Sequence, residues 1–188
     1  MNFVQFLSRS SQILGSLGDI LQIQPMNKIS AVLDKSDYEG YWDYLNYNID
    51  NYWLDEKLDE LFPDNMYKGL IPTLVYWMEI EKEKKVVWER ILPKENQTTL
   101  CPILMCPDDN DFSCTIIIAE ITNQKNRVIK WKRLGLDKTQ EYEAEKIGTS
   151  VEWFLKFEEL EFEYNEYIQM VENFKNRLDY DRNRIKNL

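Results

Sequence analysis

The chain divides into segments whose apolar residues repeat at two different spacings. In "DYEGYWDYLNYNIDNYW", residues 37 to 53, Tyr38, Trp42, Leu45, Ile49 and Trp53 step by four, three, four and four. That spacing gathers them on one stripe and predicts a helix. "LDEKLDELFP" at 54 to 63 continues as another turn or two, ended by Pro63, and "DNMYKG" follows as a turn. From residue 70 the texture becomes β-branched and aromatic. "LIPTLVYWMEI", "KKVVWERIL", "TTLCPILMC", "SCTIIIAEI" and "RVIKWKRLGL" read as five strands. The polar breaks between them are short enough for antiparallel neighbours, predicting a meander.

The ends read as helical. "FLSRSSQILGSLGDILQI" near the N-terminus favours a helix over two short strands. After "GTSVEWFLKFEELEF", the residues Tyr164, Tyr167, Ile168, Val171, Phe174 and Leu178 form the apolar stripe of a last helix, with a tail at 179–188 expected to fray. No repeat or Pro/Gly-rich boundary interrupts the chain. The expectation is a single α+β domain over 1–188: a roughly five-stranded, mostly antiparallel sheet flanked by helices at its N- and C-terminal ends. Trp77, Trp88, Trp131 and Trp153 are expected in its core.

Charge and composition narrow the chemistry. The net charge is −10 and there is no histidine. Serine–histidine and cysteine–histidine catalysis and imidazole-dependent zinc sites are therefore excluded. The acidic balance disfavours nucleic acid and anionic membranes as partners and suits a basic one. The first 21 residues lack a basic segment followed by a long apolar core, so neither a secretory signal nor a membrane span is predicted. Three cysteines do not make a disulfide framework, which points to a reducing cytoplasm.

The stretch "CPILMCPDDNDFSCTIIIAEI" at 101–121 gathers the candidate chemistry. Cys101, Cys106 and Cys114 are spaced C-x4-C-x7-C, short of the four ligands a structural zinc site needs. Asp108, Asp109, Asp111 and Glu120 offer oxygens to a hard metal. A nuclease-like arrangement would place a lysine at position 122, where Thr122 stands. The alternative is an acidic turn between two buried strands, with Pro107 opening it and Asp and Asn bonding their own backbone. This reading predicts no specific divalent-metal site and no cofactor.

The order "YKGLIPTLVYWME", "VVWERILP", "LCPILMCPDDNDFSCTIIIAEI", "IKWKRLGLDKT" and "GTSVEWF…LEF" resembles bacterial immunity proteins encoded beside polymorphic toxins. The resemblance spans residues 40 to 178. It implies a cytoplasmic, non-enzymatic inhibitor that binds and occludes a cognate toxin domain, and it carries no active-site residues. Many such toxins are basic nucleases, which an acidic chain would suit. Between residues 34 and 66 there are ten acids and two lysines. On the predicted helix Tyr44 and Tyr47 fall off the apolar stripe toward Asp43 and Asp50, as rings beside carboxylates on a binding face would. The candidate toxin-binding residues are Asp43, Tyr44, Tyr47, Asp50, Asp108, Asp109 and Asp111. A metal-dependent hydrolase using the carboxylate cluster, and a non-enzymatic scaffold, are the other readings.

Overall fold

A computed structural model describes residues 25–35, 42–141 and 143–186. The expected N-terminal helix and Tyr38 lie outside the described residues. Within them the protein is α+β, with a six-stranded and a three-stranded sheet, both antiparallel.

The small sheet, of order β1-β2-β3, occupies the segment predicted to be helical. It comprises β1 (Ile29–Asp34), β2 (Tyr44–Ile49) and β3 (Tyr52–Trp53). The reason lies in the turn at 50–51. Asp50 and Asn51 both adopt left-handed φ, 47° and 70°, the two-residue geometry that closes a tight hairpin. Ile49 then pairs with Tyr52 and Asn48 with Trp53. Asp50 is engaged as well, its two carboxylate oxygens accepting from Asn27 Nδ2 and the Lys28 N–H, each at 2.7 Å. In "YLNYNI" the side chains of Leu45, Tyr47 and Ile49 share one face of the strand, an alternation that a helical count over so few residues also accommodates.

Helix α1 (Leu54–Leu61) follows as predicted, and a 3₁₀ turn begins at Pro63. The run at 70–80 contributes only β4 (Ile71–Pro72); residues 73–77 turn. The run at 84–92 is not a strand but part of α2 (Glu81–Arg90). Its charges are spaced for a helix, Glu81 with Lys84 and Lys85 with Glu89. Val86, Val87 and Ile91 turn inward. Arg90 then donates to the carbonyls of Leu100, Glu145 and Ile147, tying α2 to the sheet and to the turn beyond it.

Strands β5 (Thr98–Met105), β6 (Ile116–Gln124) and β7 (Val128–Asp137) lie where the sequence put them. They form the centre of the large sheet, of order β4-β5-β6-β7, with β8 (Val151–Trp153) and β9 (Leu160–Glu163) pairing successive parts of β7. Ile116, Ile117, Ile118, Ala119 and Ile121 are fully buried, the mark of a strand covered on both faces. At Gly135 a Cβ would meet the Glu152 carbonyl oxygen at 2.6 Å, so β8 approaches β7 closely only because that position has no side chain.

Helix α3 (Tyr164–Lys186) continues through most of the segment expected to fray. Asp181 is buried there against Arg177 at 2.9 Å. Tyr167, Val171, Phe174 and Leu178 are buried as the stripe required, joined by Met170. Glu166 reaches back to accept from the Ile29 N–H at 3.1 Å, fastening β1 to the start of α3. Trp77 and Trp131 are buried, whereas Trp88 and Trp153 pack half-buried against the core. Trp131 donates to the Tyr167 hydroxyl at 3.1 Å, which donates to the Ile91 carbonyl at 2.9 Å. That chain joins β7, α3 and the end of α2. Among the described residues no helix is long and apolar enough to cross a membrane.

Candidate binding site

The predicted site residues separate into three groups. Tyr44 and Tyr47 are not surface anchors. Tyr47 is fully buried, edge-on to Trp131 at 5.8 Å and tilted against Phe174 at 5.1 Å, and Tyr44 is 7% exposed with its ring 5.5 Å from Trp77. The strand directs these rings into the interior, where the predicted helix would have turned them outward. Asp43 is exposed, and its carbonyl accepts from Arg177. Asp50 belongs to the hairpin. Asp108 and Asp109 are exposed on the turn between β5 and β6.

An open groove of about 690 Å³ lies beside the small sheet, at Asp34, Tyr44 and Trp53 on the strands, Asp55, Glu56 and Asp59 on α1, and Met66 and Lys68 beyond it. Asp55 is held within its wall and only 5% exposed. Its carboxylate accepts from the Gly69 N–H at 2.9 Å and from Asn46 Nδ2 at 3.3 Å, and the same Asn46 amide reaches Asp34 at 3.0 Å. Desolvation raises the Asp55 pKa, and these hydrogen bonds oppose the rise. Asp59 accepts from the Tyr67 and Lys68 N–H groups, shaping the loop that carries Met66. Met66 has φ 53° and is 83% exposed. Lys68 answers Glu56 at 2.8 Å across the groove. Four carboxylates and two lysines, Lys35 and Lys68, line the groove as a whole.

The groove falls within the acid-rich span 34–66, but at Asp34, Glu56, Asp59 and Met66 rather than at Asp43 and Asp50. Asp34, Glu56, Asp59 and Met66 were passed over. The signal available was the acid run "LDEKLDELFPDN" next to a methionine in a turn; what brings Asp34 beside it is the pairing of β1 with β2.

The turn at 106–115 is the second feature. The Cys106 N–H donates to the Thr115 carbonyl at 3.0 Å, extending the β5–β6 ladder by one step. Asp111 accepts from the Ser113 N–H at 2.7 Å, the local bonding expected of an acidic turn. Glu83, 9% exposed on α2, accepts from the Phe112 N–H at 3.1 Å and pins the turn from below. Desolvation pushes Glu83 up to about 7, with nearby Asp111 adding to the rise. Cys101 does not join the turn; it is buried, its Sγ near the Val87 carbonyl. Cys106, Asp109 and Cys114 do converge, their ligating atoms all within 4.8 Å of one another. Desolvation, followed by a hydrogen bond with Cys106, raises the Cys114 thiol to about 11.

The four carboxylates of the hydrolase reading are not one cluster. Glu120 lies inside β6, opposite Leu100 and Arg133, four residues from the turn's end of the strand. Its carboxylate is ion-paired with Arg133 and with Lys132. No family model, curated protein or solved structure matches this chain.

Proposed function

We propose that this chain is an immunity protein that binds a cognate toxin domain one-to-one in the cytoplasm and blocks it by occlusion. The observation that carries the reading is the open acidic groove beside the small sheet, with Asp34, Glu56 and Asp59 along it and the exposed Met66 on it. A long, unbranched methionine exposed at the rim of a carboxylate-lined groove suits a basic partner with an apolar anchor, since methionine adapts to irregular surfaces. The charge would act through the encounter rate and the apolar contact through residence time. The net charge of −10 extends the same field over the molecule. The resemblance of residues 40 to 178 to immunity proteins supplies the partner class. The ion-paired position of Glu120 away from the acidic turn weighs against the metal-dependent hydrolase.

The test is to identify whether the gene immediately upstream encodes a toxin domain, then to co-express it with this chain, followed by pull-down and stopped-flow kinetics. Asp34→Asn, Glu56→Gln and Asp59→Asn together should slow association, and added salt should shrink the difference because exposed charges are screened over about 8–10 Å. Met66→Ala should speed dissociation instead. Unchanged association at low salt would remove the groove as the steering surface; failure of the parent chain to capture the toxin domain would remove the immunity reading itself.

A further inference from the structure

We propose that Cys106, Asp109 and Cys114 form a binding site for a thiophilic divalent cation of the zinc class, with a fourth position open to water or to a donor from a partner. Three thiols alone fall short of the four protein ligands of a closed structural zinc site. The fold changes both terms of that count. It withdraws Cys101 into the core and brings Asp109 to the two remaining thiols. Three protein ligands with an open fourth position is the stoichiometry of an open zinc site, as opposed to a closed structural one.

The geometry is close to what such an ion demands. Around tetrahedral zinc, with Zn–S about 2.3 Å and Zn–O about 2.0–2.2 Å, ligand atoms stand roughly 3.5–3.8 Å apart. The three atoms here lie within 4.8 Å of one another, so side-chain adjustments of about an ångström complete the set. The turn is also held by bonds that leave the ligand atoms out, while the thiols and the Asp109 carboxylate hydrogen-bond one another, contacts an ion would replace. The Cys106 backbone is held by Thr115 and Asn110, the Phe112 N–H by Glu83, and the Ser113 N–H by Asp111. Cys114 and Asp109 are exposed and Cys106 is half-buried, so an ion has a path in. Two sulfur ligands with one carboxylate favour zinc over magnesium or calcium, which take oxygen. The ion would clip the tip of the β5–β6 hairpin, independently of toxin binding.

The experiment uses the reduced full chain alone. Zinc is titrated in competition with a chromophoric chelator, and cobalt(II) replaces it as an optical probe. The expected result is one ion per chain and a near-ultraviolet thiolate-to-cobalt band. Cys106→Ser and Cys114→Ser should each abolish the band and weaken zinc by more than about tenfold, since losing even an outer-shell partner costs ~10–100-fold. Asp109→Asn, at an exposed position, should weaken zinc with an unchanged melting temperature for the metal-free chain, keeping the test decisive if a serine variant fails to fold. Cys101→Ala should bind as the parent does. Absence of a one-to-one isotherm, parent-like binding by Cys106→Ser and Cys114→Ser, or conversion of the pair to an intramolecular disulfide in air with zinc present would each overturn the site.

Discussion

The two sheets are held by different means. Strands β5, β6 and β7 bury a nearly continuous apolar set, and Trp131 is wholly enclosed between Tyr47, Phe162 and Tyr167. The β1-β2-β3 sheet also carries a buried polar chain, Asp34 to Asn46 to Asp55 to the Gly69 N–H. Apolar burial is non-directional and tolerates adjustment. A buried amide between two carboxylates is directional, and its partners lose heavily if it is removed. The region that presents the groove thus adds a directional buried polar chain to its apolar burial.

The largest expected effect lies in the apolar region. Trp131→Ala should cost about 3–5 kcal/mol, read as a lowered urea midpoint, since it opens a cavity and leaves the Tyr167 hydroxyl without a donor. An unchanged midpoint would break the comparison at its stronger end.

Asn46→Ala tests the other side. Removing the shared amide should cost about 1–3 kcal/mol by leaving Asp34 and Asp55 less well solvated. Loss of the Gly69 amide's protection in hydrogen exchange, with the β6 amides unchanged, would show that the damage stays in the small sheet. Equal loss in both regions would mean that they unfold as one unit.

Glu83 is one of the polar groups buried against the large sheet, with Thr73 and Asn123. Its folded pKa, about 7 against an ordinary 4.5, means that the folded chain favours the neutral carboxyl. The stability it contributes is full below about pH 4.5 and lost as pH rises through about 7. Glu83→Gln keeps an acceptor for the Phe112 N–H and should stabilise the protein by on the order of 2 kcal/mol at pH 8, with little effect at pH 4. Denaturation midpoints at the two pH values check both the sign and the window.

The smallest effect belongs to Tyr47, the ring that joins the two regions. Its hydroxyl is buried and has no hydrogen-bond partner among the described residues. Tyr47→Phe should change stability by less than about 1 kcal/mol, toward greater stability, because the substitution removes an unpaired polar group and keeps the ring. A marked loss would place a bridging water on that oxygen and make the junction polar after all.

How far the sequence could be read follows the length and purity of each segment. Strands β5, β6 and β7 were legible because each runs eight to ten residues and is rich in β-branched, aliphatic or aromatic side chains. Helix α3 was legible because its stripe repeats over 15 residues, from Tyr164 to Leu178. Six residues of "YLNYNI" fit both periods, and the hairpin at Asp50 and Asn51 decided between them. In α2 the valines suggested a strand, while the i,i+3 and i,i+4 charge pairs told of a helix.

By itself, then, the sequence determined the α+β class, the central strands and the last helix, together with an acidic chain that has no histidine, because those properties reside in composition and in long-range periodicity. Only the tertiary structure decided which way Tyr44 and Tyr47 point, that Asp34 joins Glu56 and Asp59 at one groove, and that Asp109 meets Cys106 and Cys114 while Cys101 turns away. Each of these depends on strand register or on a left-handed turn. A shift of one residue in a strand exchanges its two faces, so local spacing cannot say which side chains will meet.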